Sequence, residues 1–197
     1  IPVAFSFVLS FMEWDGFTEM KFVGIENFLD IFDDRVFRAA LVQTIIFSIF
    51  TVAFSMVLAL ALAILLNNKL KGVNFFRAAI FFPYVASIVA VAAVFKAMFM
   101  KDGGPINEFL GLFLPDSMLP GWLASTDWAL AACIIVQVRK NMGYFMIIYL
   151  AALQDIPYSL YEAASIDGAT KWQQFKSITL PMLTPSHFYV LMMLVIN

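Results

Sequence analysis

Charge, cysteine and histidine are scarce in this chain, and each scarcity removes a class of function. Only 13% of the 197 residues are charged and the formal net charge is -2, so no basic face is available to hold a phosphate backbone, and nucleic acid is not an expected partner. Cys133 is the single cysteine. It lies within an apolar run, where a small buried hydrophobe is expected, and a redox or zinc role would need partners that the sequence does not supply. His187 is the single histidine, too few for a metal site and expected to be a packed or interfacial residue. No GxxxxGK[ST], dinucleotide fingerprint, HExxH or serine nucleophile elbow occurs. The chain therefore reads as a non-enzyme without a cofactor of its own.

What is plentiful is apolar surface. With 62% hydrophobic residues and a mean hydropathy of +0.88, the chain has more of it than a soluble core of this size hides, so lipid is its expected solvent. Residues 39–66 carry no charge and, at ~1.5 Å per residue, are long enough to cross with tilt. Residues 78–99 form a second expected span, with Pro83 bending it near one end and Lys96 near the other, where the stem can snorkel. Residues 128–153 form a third. Residues 1–12 read as the tail of one further span and 182–197 as the start of another. The fold class is all-α, a polytopic membrane protein with a single transmembrane domain over 1–197.

Loop charge assigns the sides. Loop 67–77 carries Lys69, Lys71 and Arg77 without an acid, whereas 13–38 is rich in acids from Glu13 to Asp34. The positive-inside rule places 67–77 in the cytoplasm, and alternation returns 154–181 there while 13–38 and 100–127 lie outside. Segment 100–127, with Gly103-Gly104-Pro105, Pro115 and Pro120-Gly121, reads as a turn-rich cap.

The polar insert 154–181 is the most informative stretch. Ser159 and Glu162 have capping-box spacing, which predicts a helix start near Leu160. Gly168, after Asp167, is suited to the left-handed closing residue of that helix. Thr170 and Gln173 repeat the capping spacing for a second short helix, which Pro181 ends, unless it opens the next span. Ala163 and Ala164 leave the first helix nearly bald on one side.

Glu162-Ala163-Ala164, Gly168 and Ile178-x-Leu180-Pro181, set between apolar spans, resemble the EAA loop of ABC-importer permeases, the transmembrane subunits of binding-protein-dependent uptake systems. NFLDIF (27–32), NNKLKGVNFFR (67–77) and YLAALQDIP (149–157) extend the likeness toward the carbohydrate-uptake branch, similar to maltose and glycerol-phosphate importer subunits. The resemblance implies several things. The fold is the helical permease fold of a multi-pass inner (plasma) membrane protein of about six spans, of which this chain is a fragment truncated at both ends. ATP and magnesium belong to a separate ATPase subunit, and Glu162, Ala163, Ala164, Asp167, Gly168, Ile178, Leu180 and Pro181 form the surface docking on it. The other partners are a second permease subunit, in a heterodimer, a substrate-binding protein and membrane lipid.

Arg139 and Lys140 fall near mid-depth of the third span, where an aromatic residue often precedes the lysine in the family. Each cation costs roughly 2.5–3.5 kcal/mol there unless it meets water or a partner. One reading sets Arg139, with Lys140 and Tyr144, in the translocation pathway. The other pairs the cations with carbonyls or an acid of a neighbouring span. The departure leaves open an anionic solute, such as a uronate oligosaccharide or a phosphorylated polyol, beside a neutral sugar. A secondary transporter would want intramembrane acids, and a membrane enzyme would want clustered His, Asp or Glu; the spans offer neither. Sidedness is directly testable: in a variant lacking Cys133, a cysteine at Asn74 should react with an impermeant thiol reagent only when the cytoplasmic side is open. Labelling from outside intact cells would reverse the assignment.

Overall fold

The computed structural model describes residues 2–67 and 72–196. Lys69 and Lys71, which carry part of the sidedness argument, and the chain ends Ile1 and Asn197 lie outside the described residues. The chain divides into two compact units, residues 1–46 and 47–197, with the boundary inside one uninterrupted helix.

The first unit holds α1 (Pro2–Leu9), a hairpin of β1 (Met12–Glu13) and β2 (Lys21–Phe22), α2 (Glu26–Asp33) and the start of α3 (Arg35–Leu66). The hairpin turn is organised by Asp15, whose carboxylate accepts from the Phe17 amide at 2.9 Å and from the Thr18 amide and hydroxyl at 2.8 Å. Those donors favour the charged form and hold its pKa down to about 2. The Asn27 amide ties α2 to the hairpin by donating to the Ser10 and Met12 carbonyls. Asp34 separates α2 from α3 in extended backbone, and its side chain accepts the Val36 amide at 2.8 Å, satisfying one orphan donor of the new helix.

In the second unit α3 presents a stripe of mostly small side chains inward, Thr51, Ser55, Ala59, Ala63 and Leu66, at helical spacing of four and three. Its remaining apolar surface is largely exposed, as lipid contact requires. The stripe meets the second long helix, α7 (Thr126–Gln154), in a core that includes Phe145, Met146, Tyr149 and Leu153. These two are the described helices long and apolar enough to cross a membrane alone.

The expected second span is not one helix. It is α4 (Val73–Val85) and α5 (Ile88–Met98), bent by 102°. The break is not at Pro83, which sits within α4. Ala86 and Ser87, both with ψ beyond +130°, leave the helical region and interrupt the hydrogen-bond ladder. Both halves nevertheless pack near α7. Val73 and Ile80 pack on the core near Tyr149, whereas Phe95 and Phe99 pack beside Ala132 and Trp122 at the other end.

A cap at that other end is built on Asn107, in α6 (Pro105–Gly111). Its amide donates to the Lys101 and Pro120 carbonyls at 3.0 and 3.1 Å, and its Oδ1 accepts from Trp122 Nε1 at 2.7 Å. Trp122 pays for this place with φ +38°, uncommon for a bulky residue. Ser125 caps α7, accepting the Asp127 amide.

After α7 come α8 (Tyr158–Ile166), α9 (Lys171–Gln174), a π-turn (Phe175–Thr179), α10 (Leu180–Met182) and α11 (Thr184–Ile196). Pro181 does not end the helical run. It lies at the start of α10, and a 63° bend follows between Met182 and Thr184. The cause is Pro185, which has no N–H to offer the Pro181 carbonyl. Cys133, expected to be buried, is exposed on α7; on a membrane helix the apolar environment lies outside as well as inside, so burial does not follow from hydrophobic neighbours. His187 is half-buried, its ring edge-on to Tyr149 at 5.2 Å.

Backbone proximity between α4 and α7 is closest at Gly143. A Cβ there would collide with the Ile80 carbonyl and stand 2.9 Å from the Phe81 Cα. Small residues permit such approaches between membrane helices. Gly143→Ala should therefore destabilise the protein by about 1–3 kcal/mol and Gly143→Val by more, read as a lowered midpoint of thermal unfolding in detergent. An unchanged midpoint for Gly143→Val would refute the close approach.

Candidate functional site

At the end of α7 the chain leaves the bundle through Asp155, Ile156 and Pro157. Pro157, with φ -57° and ψ 125°, is the N-cap of α8, and its carbonyl accepts the Leu160 amide at 3.1 Å. The fixed φ of proline sets this start, so Ser159 falls inside the helix. The Ser159–Glu162 capping box is consequently not formed, which corrects the expected start near Leu160.

The turn after α8 is a Schellman motif. Gly168 takes φ +78°, its amide bonds the Ser165 carbonyl at 3.2 Å, and the Ala169 amide bonds the Ala164 carbonyl at 2.9 Å. Thr170 and Gln173 form the capping box read from their spacing, so α9 starts where expected. Helix, left-handed turn and helix thus stand at one end of the bundle.

This end exposes apolar side chains without covering them. Ile166 is 87% and Trp172 70% accessible, with Tyr158 also exposed. Glu162, Ala163 and Asp167 are exposed and Ala164 is half-buried. Ile178 and Leu180 are half-buried, and Ile178 packs against the core. They and Pro181 belong to the π-turn and α10 rather than to α8. The eight residues of the motif therefore split between a presented helix and the stem that carries it.

Behind α8 lies an open cleft of about 940 Å³, lined among others by Ile64 and Asn67 from the end of α3, Tyr161 and Glu162 from α8, and Lys171 and Gln174 from α9. The chain after α3 and the chain after α7 therefore share one end of the bundle. Arg77 Nη2 donates to the Leu66 carbonyl at 2.9 Å, fixing the start of α4 to the end of α3.

Midway along α7, Arg139, Lys140 and Tyr144 are half-buried. Arg139 Nη1 donates to the Ile80 carbonyl at 3.4 Å, a long bond to a backbone oxygen of α4. The Tyr144 ring stacks on Tyr84 at 4.5 Å and 11°. The structure thus gathers Arg139, Tyr144 and the α4 segment just before its break. Lys140 and Arg139, adjacent in sequence, point in different directions on the helix.

Sequence reasoning passed over Asn141, which is buried with an Oδ1 that makes no hydrogen bond among the described residues. It also passed over Tyr161, Gln174 and Thr179. Tyr161 Oη lies 2.9 Å from Thr179 Oγ1, and Gln174 Nε2 donates to Ser165 Oγ at 2.8 Å. The four-residue spacing of Tyr161 and Ser165 was an available signal that both lie on one face of the helix.

The chain is similar to known proteins. The lactose transport system permease protein LacF of Rhizobium radiobacter is 42% identical over 185 residues, which are 93% of this chain and 61% of that relative. The chain thus spans about three-fifths of that relative's length. A solved bacterial ABC transporter involved in the import of the acidic polysaccharide alginate superposes with a TM-score of 0.80 at 26% identity, covering 98% of this chain and 65% of the other. A bacterial alginate ABC transporter in complex with an alginate pentasaccharide-bound periplasmic protein gives 0.77 at 29% identity, covering 87% and 59%. Residues 55–197 match the family of binding-protein-dependent transport system inner membrane components, and the chain belongs to that family.

Proposed function

We propose that this chain is part of the permease subunit of an ATP-driven importer for carbohydrates, working by alternating access and driven by ATP hydrolysed on a separate subunit. The observation that carries the reading is the α8–α9 end: a short helix closed by a left-handed glycine, with Ile166 and Trp172 largely uncovered beside the small Ala163. Such a surface fits a groove on another protein. Glu162, Ala163, Ala164, Asp167 and Gly168 form the presented part, while Ile178, Leu180 and Pro181 anchor it. Loops 67–77 and 154–181 face the cytoplasm, where ATP and magnesium are bound by the ATPase subunits. A second permease subunit, forming a heterodimer, and a substrate-binding protein complete the assembly. The lactose and alginate systems to which the chain is similar support a sugar as solute.

An acidic oligosaccharide is the second reading, favoured by Arg139 at mid-depth and by the acidic glycan of the two similar transporters. A guanidinium can hold a carboxylate with two parallel hydrogen bonds that lysine does not reproduce.

Gly168→Val tests the docking reading. A Cβ at this position meets nothing within 4 Å in this chain, so within the chain the variant acts through backbone strain. Solute-stimulated ATP hydrolysis in the reconstituted complex should fall severalfold while membrane insertion persists, and Gly168→Asn, which tolerates the left-handed region, should retain most of it. Full stimulation in Gly168→Val would refute the reading. For Arg139→Ala, transport of acidic oligosaccharides per assembled complex should drop about tenfold or more, the scale of a charged hydrogen bond, with Arg139→Lys recovering only part. An unchanged rate with only the yield reduced would assign Arg139 a structural role through the Ile80 carbonyl.

A further inference from the structure

The chain connecting α8 to α11 is weakest where α8 would be pushed. Its link to α7 is Asp155–Pro157, outside any helix, and its link to α9 is the turn at Gly168, around which a Cβ would find open space. A displacement imposed on α8 could be absorbed at either link and never reach the spans.

Two side-chain contacts bypass these links. Tyr161 Oη and Thr179 Oγ1 are 2.9 Å apart, joining the middle of α8 to the end of the π-turn. Gln174 Nε2 donates to Ser165 Oγ at 2.8 Å, joining the last turn of α8 to the end of α9. Gln174 is 4% and Thr179 6% accessible, so each contact has one buried partner, while Tyr161 and Ser165 face the open cleft. The Gln174 amide is fully used: Nε2 also reaches the Ala169 carbonyl, and Lys171 Nζ donates to Oε1. Ser165 Oγ in turn donates to the Tyr161 carbonyl at 2.7 Å, linking the two contacts along α8.

The π-turn makes the pair of contacts possible. Tyr161 and Ser165 are four apart and lie one above the other on an α-helix. Their partners, Gln174 and Thr179, are five apart, which at ~100° per residue would set them roughly 140° from each other in an α-helix. Bonding between residues five apart, as in the Leu180 amide to Phe175 carbonyl bond, brings them back onto one face. The extra residue of the π-turn thus matches the register of α9 and its extension to that of α8.

We propose that Tyr161, Ser165, Gln174 and Thr179 are positioning residues that clamp α8 to the π-turn as one lever, so that motion of α8 reaches α10 and α11 instead of being lost in the Gly168 turn. The inference rests on the docking reading above and adds to it the route by which force leaves the docked helix. None of the four would touch the solute.

The test is the number of solute molecules moved per ATP hydrolysed in proteoliposomes holding the complete importer, with its loaded binding protein. Tyr161→Phe and Thr179→Val should assemble and hydrolyse ATP in response to the loaded binding protein, yet move about fivefold less solute per ATP, the factor that one neutral hydrogen bond supplies. The double variant should be no worse than either single one, because both remove the same contact, and Thr179→Ser should restore the ratio. Should Tyr161→Phe fail to assemble, Ser165→Ala, at an exposed position on the other contact, should give the same loss. A wild-type ratio in Tyr161→Phe, or in Ser165→Ala, would overturn the clamp. A parallel loss of hydrolysis and transport at constant ratio would overturn it too, because that result marks a fault in docking. Failure of the docking reading itself has another signature: the unmodified chain would not join ATPase subunits at all.

Discussion

Hydrocarbon offers no hydrogen-bond partner, so every amide and carbonyl of a crossing segment has to be met from within the protein, and this requirement orders the rest of the molecule. It explains why the long segments are helices and why each irregularity comes with its own remedy. Across the break between α4 and α5, the Ala86 amide still closes on Phe82 and the Val91 amide on Ser87. In the π-turn the Leu180 amide reaches back five residues to Phe175, and the α pattern resumes with Leu183 on Thr179. Breaks are therefore confined to one or two residues.

The same requirement shapes how the helices meet. Lipid is as apolar as a protein core, so little drives two spans together except close fit. The second unit achieves fit with small residues: Ala59 and Ala63 of α3 in the core shared with Phe145 and Met146 of α7, and Gly143 of α7 against the Ile80 carbonyl of α4. Arg139 joins this second contact. Its hydrogen bond ends on the carbonyl that a side chain at position 143 would displace, so the close approach of two backbones and the placement of a mid-depth cation are one arrangement.

Features set by neighbours in sequence are legible in the sequence itself. The Gly168 turn and the Thr170–Gln173 box are local, and composition marks α3 and α7 as spans, whereas it gives no sign that 78–99 is a bent pair. The misreadings have physical causes. Ser159–Glu162 has the right spacing for a cap, but Pro157 starts the helix two residues earlier and leaves the pair inside it. Pro83 is the obvious bend candidate, yet a proline can remain within a helix whose neighbours tolerate one missing bond, and the break falls at Ala86–Ser87, where Ser87 takes the N-cap position of α5. Cys133 was placed inside by a rule that assumes water outside. Most opaque was the clamp: whether Gln174 and Thr179 share a face depends on a π-turn that no single residue type announces.

The two ends of the bundle differ in how they are held. At the α6 end, one buried asparagine satisfies three hydrogen bonds and fixes a tryptophan in a strained conformation, with the Phe99 ring tilted against it at 4.8 Å. Strain of that kind persists only where surrounding contacts over-determine it, so this end is stiff. At the α8 end the helix is carried on a non-helical link and a glycine turn, over an open cleft, with its exposed apolar residues uncovered. The 102° break divides α4 from α5, and the 63° bend precedes α11. Under the proposed clamp, a push on α8 reaches α10 and α11 through the Tyr161–Thr179 and Gln174–Ser165 contacts, and the strength of those contacts sets how much of it arrives.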